Sequence, residues 1–219
     1  MHKLLAAACM VLIAPWALAQ GTPNTVELTP TIGYWFGDTL PPGTLSGVNY
    51  DATVDNGTSY GLRVAYRFAP HWAVEGFLTW QQSDLVATQG GIFVAQSHIG
   101  TMDMGTGEVN MEYAFGHSRF VPFIVGGVGA MRLSPTLYPA AAGGAYPPLS
   151  SATRFVGDFG TGFKVFFNPD VALRFDLRWH TVDLNDWQNC DWHYGYCGGY
   201  YDYNWLTFTE VSLGVTFVL

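Results

Sequence analysis

Acidic and basic residues recur at two-residue spacing inside apolar stretches of this chain, as in Arg174, Asp176 and Arg178. Side chains two positions apart on an extended backbone point the same way, so these charges share one face and their apolar neighbours take the other. Sorting by phase puts Glu27, Glu75, Glu108, Glu112, Asp158, Asp176 and Glu210 on a common face with Arg63, Arg67, Arg154, Lys164, Arg174 and Arg178. The chemistry open to them is ion pairing. Seven acids against six bases nearly cancel, as a poorly solvated interior requires, because deleting one partner of a buried pair costs about 3–5 kcal/mol. Counted from the nearest tight turns, Arg67, Glu75, Glu112, Lys164 and Arg174 fall at similar heights, which predicts a belt of ion pairs across an interior. Such a belt either fills and registers the structure or, by exchanging partners, gates a narrow ion path.

The elements that carry these residues follow a leader. His2 and Lys3 give a basic start, Leu4 to Leu18 is almost wholly apolar, and Ala17-Leu18-Ala19 has the small-x-small pattern of a cleavage site. Residues 1–19 therefore read as a secretory signal peptide and 20–219 as one mature domain. A lipid-modified Cys9 fits poorly, since Ala6 stands where a larger aliphatic is expected. Beyond the leader no apolar run approaches the ~20 residues of a membrane helix. Charged residues make up 12% of the chain and aromatics 16%, with 26 glycines, an unusual recipe for a water-soluble domain. A net charge of −8 argues against nucleic acid as a partner, because phosphates need a basic surface.

Eight stretches alternate apolar and polar residues, the signature of membrane-spanning strands. In Val26–Phe36, Val26, Leu28, Ile32, Tyr34 and Phe36 oppose Glu27, Thr29 and Thr31. In Tyr60–Phe68, Leu62, Val64 and Tyr66 oppose Arg63, Ala65 and Arg67. Trp72 to Gln81, Glu108 to Phe115, Arg154 to Phe167, Val171 to His180 and Glu210 to Leu219 follow the same rule. Val121–Leu133 is blurred by Gly126, Gly127 and Gly129, and its faces stay unassigned. Three connections are tight turns: Ala69-Pro70-His71, Gly116 to Arg119, and Asn168-Pro169-Asp170. The other four are long, running roughly over Gly37–Gly57, Ser83–Gly100, Ser134–Ser151 and Thr181–Asn204.

Alternation alone also fits a soluble barrel with an apolar inside. Three features favour charges inside and apolar residues outside. The charged face carries Gly61, Ala65, Gly160, Gly162 and Gly214, small residues suited to a crowded interior. The apolar face has Tyr66, Phe68, Trp72, Tyr113, Phe115, Phe167 and Trp179 near strand ends, where membrane interfaces require aromatics. The chain also lacks the Lys and Glu that a soluble outer face would need. The expected fold is all-β: an eight-stranded antiparallel up-and-down transmembrane β-barrel with short periplasmic turns, four long extracellular loops and both chain ends in the periplasm.

Three strings resemble the OmpA-like outer-membrane β-barrel superfamily: Val26-Glu27-Leu28-Thr29-Pro30-Thr31-Ile32-Gly33-Tyr34, the glycine-rich Pro122 to Gly129, and Phe167-Asn168-Pro169-Asp170 followed by Leu173-Arg174-Phe175-Asp176. The resemblance spans the mature chain and implies the Gram-negative outer membrane. It specifies the activity poorly, since members serve as anchors, adhesins, binding proteins and occasionally enzymes. The chain departs from the pattern in ending at Leu219, with Phe217 in phase, and in carrying no peptidoglycan-binding domain.

Some relatives of that superfamily modify lipid A, using a His followed two residues later by Ser. Here Val182 stands in that position after His180, and His180 shares a face with Arg174 and Arg178, so a lumen hydrogen bond is expected of it. His117-Ser118 falls in a periplasmic turn with no evident partner for general-base chemistry. No catalytic residues, cofactor or metal are therefore assigned. Asp183-Leu184-Asn185-Asp186 fails as a calcium loop, because Trp187 holds the next ligand position.

Specific recognition is expected from the final loop. Cys190 and Cys197 are an even pair in an oxidising compartment and are expected to form a disulfide; a zinc site would add only His193 and lack a fourth ligand. Trp187, Trp192, His193, Tyr194, Tyr196, Tyr200 and Tyr201 crowd this segment, and rigid aromatics on a stapled loop suit a protein or glycan partner. They equally suit packing on one another. Asp38, Asp51, Asp55, Asp84, Asp183, Asp186, Asp191 and Asp202 make the loop end acidic, with Arg132 the one nearby base. The expectation is a monomeric, non-catalytic surface barrel among outer-membrane lipid and lipopolysaccharide, whose loops bind or shield. A narrow gated channel is the second reading and a lipid A-modifying enzyme the third.

Overall fold

The computed structural model describes residues 23–37, 51–89, 95–116, 118–138, 151–183, 190–191, 196–197 and 205–219. The strands, in chain order, are β1 (Thr25–Phe36), β2 (Asp51–Val54), β3 (Gly57–Arg67), β4 (Trp72–Gln89), β5 (Ala95–Ala114), β6 (Phe120–Leu137), β7 (Ala152–Asn168), β8 (Val171–Asp183), β9 (Cys190–Asp191), β10 (Tyr196–Cys197) and β11 (Trp205–Val218). Each of β1, β3, β4, β5, β6, β7, β8 and β11 pairs antiparallel with its neighbours, and β11 pairs with β1, so the eight-stranded sheet closes on itself. Among the described residues, no helix is long and apolar enough to cross a membrane. The wall does so with strands.

Local chemistry sets the turns at one end. Asn168 Oδ1 accepts from the backbone N–H of Asp170 at 2.9 Å and of Val171 at 2.7 Å, an Asx turn that reverses the chain into β8. Gly116 supplies a φ of +101° between β5 and β6, a conformation that a side chain would resist. The first described strand and the last are tied at this same end by paired bonds between Val26 and Leu219.

At the other end the strands outrun the alternation seen in the sequence. Ser83–Gly100, expected as a loop, is mostly strand: β4 runs on to Gln89 and β5 begins at Ala95, paired across a bulge at Leu85 and Val86. Within the first long connection, β2 pairs with the top of β4 and continues the line of β3. These extensions stand beyond the apolar band, where the outer face meets water and alternation is no longer imposed. Asp183, expected among exposed loop acids, is instead the buried last residue of β8.

The wall is apolar outside and charged inside. Val109 is 63% and Tyr60 61% exposed on the outer face, whereas Glu75, Arg174 and Arg178 are 0% exposed in the lumen. Trp72 and Trp80 bracket the outer apolar run of β4. Eight residue steps make about 26 Å of strand, or about 20 Å of height at a ~40° tilt, close to the ~25 Å band of an outer-membrane barrel. Rings cluster at the turn end, where Tyr113 lies edge-on to Trp72 at 4.8 Å and to Phe115 at 5.0 Å. On β6, unassigned from sequence, Val121, Phe123, Val125, Met131 and Leu133 point inward while Ile124 and Val128 face out.

Candidate functional site

The lumen is filled in layers. Nearest the turns, Ala114, Val121, Phe123, Val125, Phe166 and Ala172 form an apolar floor. Glu27 and Glu112 with Arg67 and Lys164 make the first ionic tier: Arg67 Nη2 donates to Glu27 at 2.8 Å and to Glu112 at 3.2 Å, and Lys164 Nζ donates to Glu112 at 2.7 Å and also to Glu27. The second tier holds Glu75 and Asp176 among Arg63, Arg174 and Arg178. Arg174 grips Asp176 through Nε and Nη2, both at 2.9 Å, and its Nη1 lies 2.7 Å from Glu75. Arg178 reaches Glu75 and, at 2.7 Å, Asp158.

Aromatic rings complete the solvation of these cations. The Arg63 guanidinium lies 3.6 Å over the Phe77 ring, and that of Arg174 lies 4.5 Å over Phe123. Such contacts contribute about 2 kcal/mol when desolvated. Small residues make the room: a Cβ on Gly160 would stand 2.7 Å from Arg178 Cγ, and one on Gly127 would stand 2.0 Å from the Asn110 side-chain amide. With its amide oriented as its neighbours require, Asn110 donates to Asp158 and accepts from Arg178, both at 2.8 Å.

The third tier is centred on His180. Nδ1 faces Glu108 at 2.9 Å and Nε2 faces Glu210 at 3.3 Å, and Ser59 also donates to Glu210 at 3.1 Å. Two carboxylates on two ring nitrogens are both satisfied when each nitrogen donates, which is the imidazolium form. Trp35 stacks on it at 4.6 Å. Glu108, Asp158 and His180 bring one ligand atom each within 4.8 Å of one another, and a metal there would have to displace the proton between His180 and Glu108.

Arg154, on the inward phase of β7, is half-buried two residues beyond Val156. Including it, the inward-phase bases are six against seven acids, and the His180 cation makes the seventh positive charge. His180 is the member that sorting by Lys and Arg left out of the charge balance. Its two-residue phase with Arg178 was the available signal.

Above the ions sits a second apolar layer, built from Trp35, Leu85, Met102, Met104, Met131, Val156, Val182, Leu206, Phe208 and their neighbours. Sequence sorting missed it, since these residues lie in phase with the charges and beyond the apolar band. Of the final loop, only short backbone segments are described. β9 and β10 set Cys190 opposite Cys197, and Tyr196 opposite Asp191. Trp187, Trp192, His193, Tyr194, Tyr200 and Tyr201 lie outside the described residues, as does His117.

A closed strand wall, apolar outside and ionic within, defines an outer-membrane β-barrel protein. The chain belongs to the outer membrane protein beta-barrel domain family, whose model matches residues 4–217. Among solved structures it is similar to OprG of Pseudomonas aeruginosa, with 14% identity over 92% of this chain and 98% of that one, at a TM-score of 0.63. It is also similar to Neisserial surface protein A (14% identity, 88% and 96% covered, TM-score 0.52). A third similar structure is Ail, the attachment invasion locus protein of Yersinia pestis, solved with the heparin analogue sucrose octasulfate (10% identity, 90% and 100% covered, TM-score 0.52). No curated protein matches the chain in sequence. At these identities the solved structures establish the fold.

Proposed function

We propose that this protein is a sealed, non-catalytic barrel that holds its extracellular loops rigidly at the cell surface, where they bind or shield. The observation that carries this reading is the packed lumen: three ionic tiers buried between an apolar floor and an apolar roof. An ion path would need water beside Glu75, Arg174 and Arg178, all fully buried. The same packing supports a non-enzymatic reading, since His180 is buried with both nitrogens occupied.

Recognition then falls to the loops. The aromatic segment from Trp187 to Tyr201, with a proposed Cys190–Cys197 disulfide, is the element best suited to a protein or glycan. The register of β9 and β10 supports that pairing. Ail was solved with a polysulfated ligand, yet the acidic loops of this chain would repel a polyanion. A neutral or cationic partner fits better, bound by a monomeric barrel. Two experiments test the proposal. The purified barrel in planar bilayers should insulate, and steady conductance would overturn the sealed reading. Deleting residues 187–205 should abolish attachment of expressing cells to host cells or matrix, and unchanged attachment would overturn the loop reading.

A further inference from the structure

The outer wall carries a second arrangement that lumen and loops do not explain. In the register of the sheet Tyr60 stands beside Trp80, Trp80 beside Gly105, and Gly105 beside Arg132. This row crosses β3, β4, β5 and β6 and marks the loop-side edge of the apolar band. One step nearer the loops the outward residues turn polar: Gln82 stands beside Asp103 and Asp103 beside Ser134, with Gln82 donating to Asp103 at 2.9 Å.

Gly105 leaves a notch in the row. The Trp80 ring leans toward it, with Cδ1 3.7 Å from where a Cβ would stand, and Arg132 borders its other side. A hollow of about 790 Å³ opens here, lined by Tyr34, Tyr60, Trp80, Asp84, Asp103 and Arg132 among others. Arg132 is the telling residue. Of the Lys and Arg in the described chain, five are buried in the lumen, Arg154 is half-buried on the inward phase, and Arg119 lies at the turn end. Arg132 alone is exposed on the loop half of the outward wall. An arginine at the edge of hydrocarbon is stabilised when it meets an anionic headgroup at that level.

We infer that this hollow is a headgroup site for one phosphorylated glycolipid of the outer leaflet. Arg132 presents a planar fork of donors to the phosphate. Trp80 and Tyr60 offer flat faces to a sugar ring, as amphipathic rings do at membrane interfaces. Gln82, Asp84 and Asp103 stand where sugar hydroxyls need acceptors, and acyl chains descend over Leu78, Val109 and Val128. A glycerophospholipid offers Arg132 the same phosphate but leaves the aromatic and carboxylate parts of the hollow unused. This inference goes beyond the loop reading and stands whether or not the loops bind a partner.

The test is native mass spectrometry of the purified barrel released from phosphatidylcholine bilayers doped with equal amounts of lipid A or phosphatidylglycerol. The wild type should retain one lipid A at least tenfold better than phosphatidylglycerol. Arg132→Gln should lose that preference at least tenfold and Trp80→Ala several-fold, while Arg119→Gln on the opposite rim keeps it. All three positions are on the surface, and heat-modifiable gel migration verifies that each variant is folded. Equal retention of lipid A by the wild type and Arg132→Gln would overturn the site. Equal retention of both lipids by the wild type would overturn the glycolipid assignment.

Discussion

Arg174 on β8 reaches across the lumen to Glu75 on β4, Nη1 to Oε2 at 2.7 Å, and the same nitrogen lies 3.2 Å from Glu112 on β5. Because β8 sits on the far side of the closed sheet from β4 and β5, this contact is a cross-brace and not a neighbour contact. Sheet hydrogen bonds fix each strand to the next; the brace fixes opposite walls to each other and so resists flattening of the barrel.

Removing one end of that brace should be costly. Glu75 also meets Arg63 at 3.3 Å and Arg178, so Glu75→Ala leaves three guanidinium groups short of a partner. The expected loss is about 3–5 kcal/mol, read as a lower urea midpoint for unfolding from lipid vesicles. The Glu75→Ala/Arg174→Ala double variant should be less destabilised than the sum of the singles, since it removes acid and base together. Strict additivity would mean that the contact carries no coupling.

The layered lumen makes a prediction about conduction. The apolar roof and the ionic tiers are barriers in series, so opening one leaves the other in place. Met131→Gly, which thins the roof, should insulate in planar bilayers as the wild type does. Arg67→Ala, which loosens only the first tier, should insulate as well, and conductance in either single variant would show that one layer alone is the seal.

How much of this was legible beforehand depended on where each residue sits relative to hydrocarbon. Inside the band the outer face must be apolar, so the alternation of β3 or β8 can be read residue by residue. The charge belt follows from the same phase, but it divides: Arg67, Glu112 and Lys164 fall in the first tier and Glu75 and Arg174 in the second, joined by the Arg174–Glu112 contact. Beyond the band that constraint lapses: β4 runs on to Gln89 and β5 begins at Ala95, with Asp84 and Asp103 outside and Leu85, Met102 and Met104 inside. Phase sorting was also blind on β6. There Phe123 and Met131 point inward, Phe123 into the room left by Gly162 and under the Arg174 cation. The glycolipid hollow was illegible for a different reason, since it depends on the register of four strands rather than on any one of them.

The outward assignment has its own test. Val109 lies mid-wall on β5, strongly exposed, and Val109→Arg should cost about 2–4 kcal/mol in a bilayer. Thr58→Arg, also outward but above the aromatic row, should cost about 0–1 kcal/mol. Folding titrations in lipid vesicles would separate them. Equal penalties would mean that Val109 and Thr58 stand at the same depth, against the register that places the Tyr60 and Trp80 row between them.

Gly127 probes the close packing of the lumen. A methyl group there would meet the Asn110 side-chain amide at 2.0 Å and the Val109 carbonyl at 2.3 Å. The second contact is backbone and cannot swing aside, so Gly127→Ala should cost about 1–3 kcal/mol. Gly157→Ala, whose Cβ would meet nothing within 4 Å, is the matched control and should fold like the wild type in thermal gel-shift assays.

His180 ties together charge balance, packing and function. Its ring sits between Glu108 and Glu210 and under Trp35, so it acts as a cation shared by two carboxylates. His180→Asn keeps a polar side chain but withdraws the positive charge, leaving Glu108 and Glu210 facing each other, and should destabilise by about 3 kcal/mol or more. The additional Glu108→Gln change restores the balance and should recover a substantial part of that loss. In the wild type, nitrogen NMR of the reconstituted barrel at neutral pH should show both ring nitrogens of His180 protonated. A neutral tautomer would mean that one carboxylate carries the proton instead, and the lumen would then balance six charges of each sign without a histidine cation.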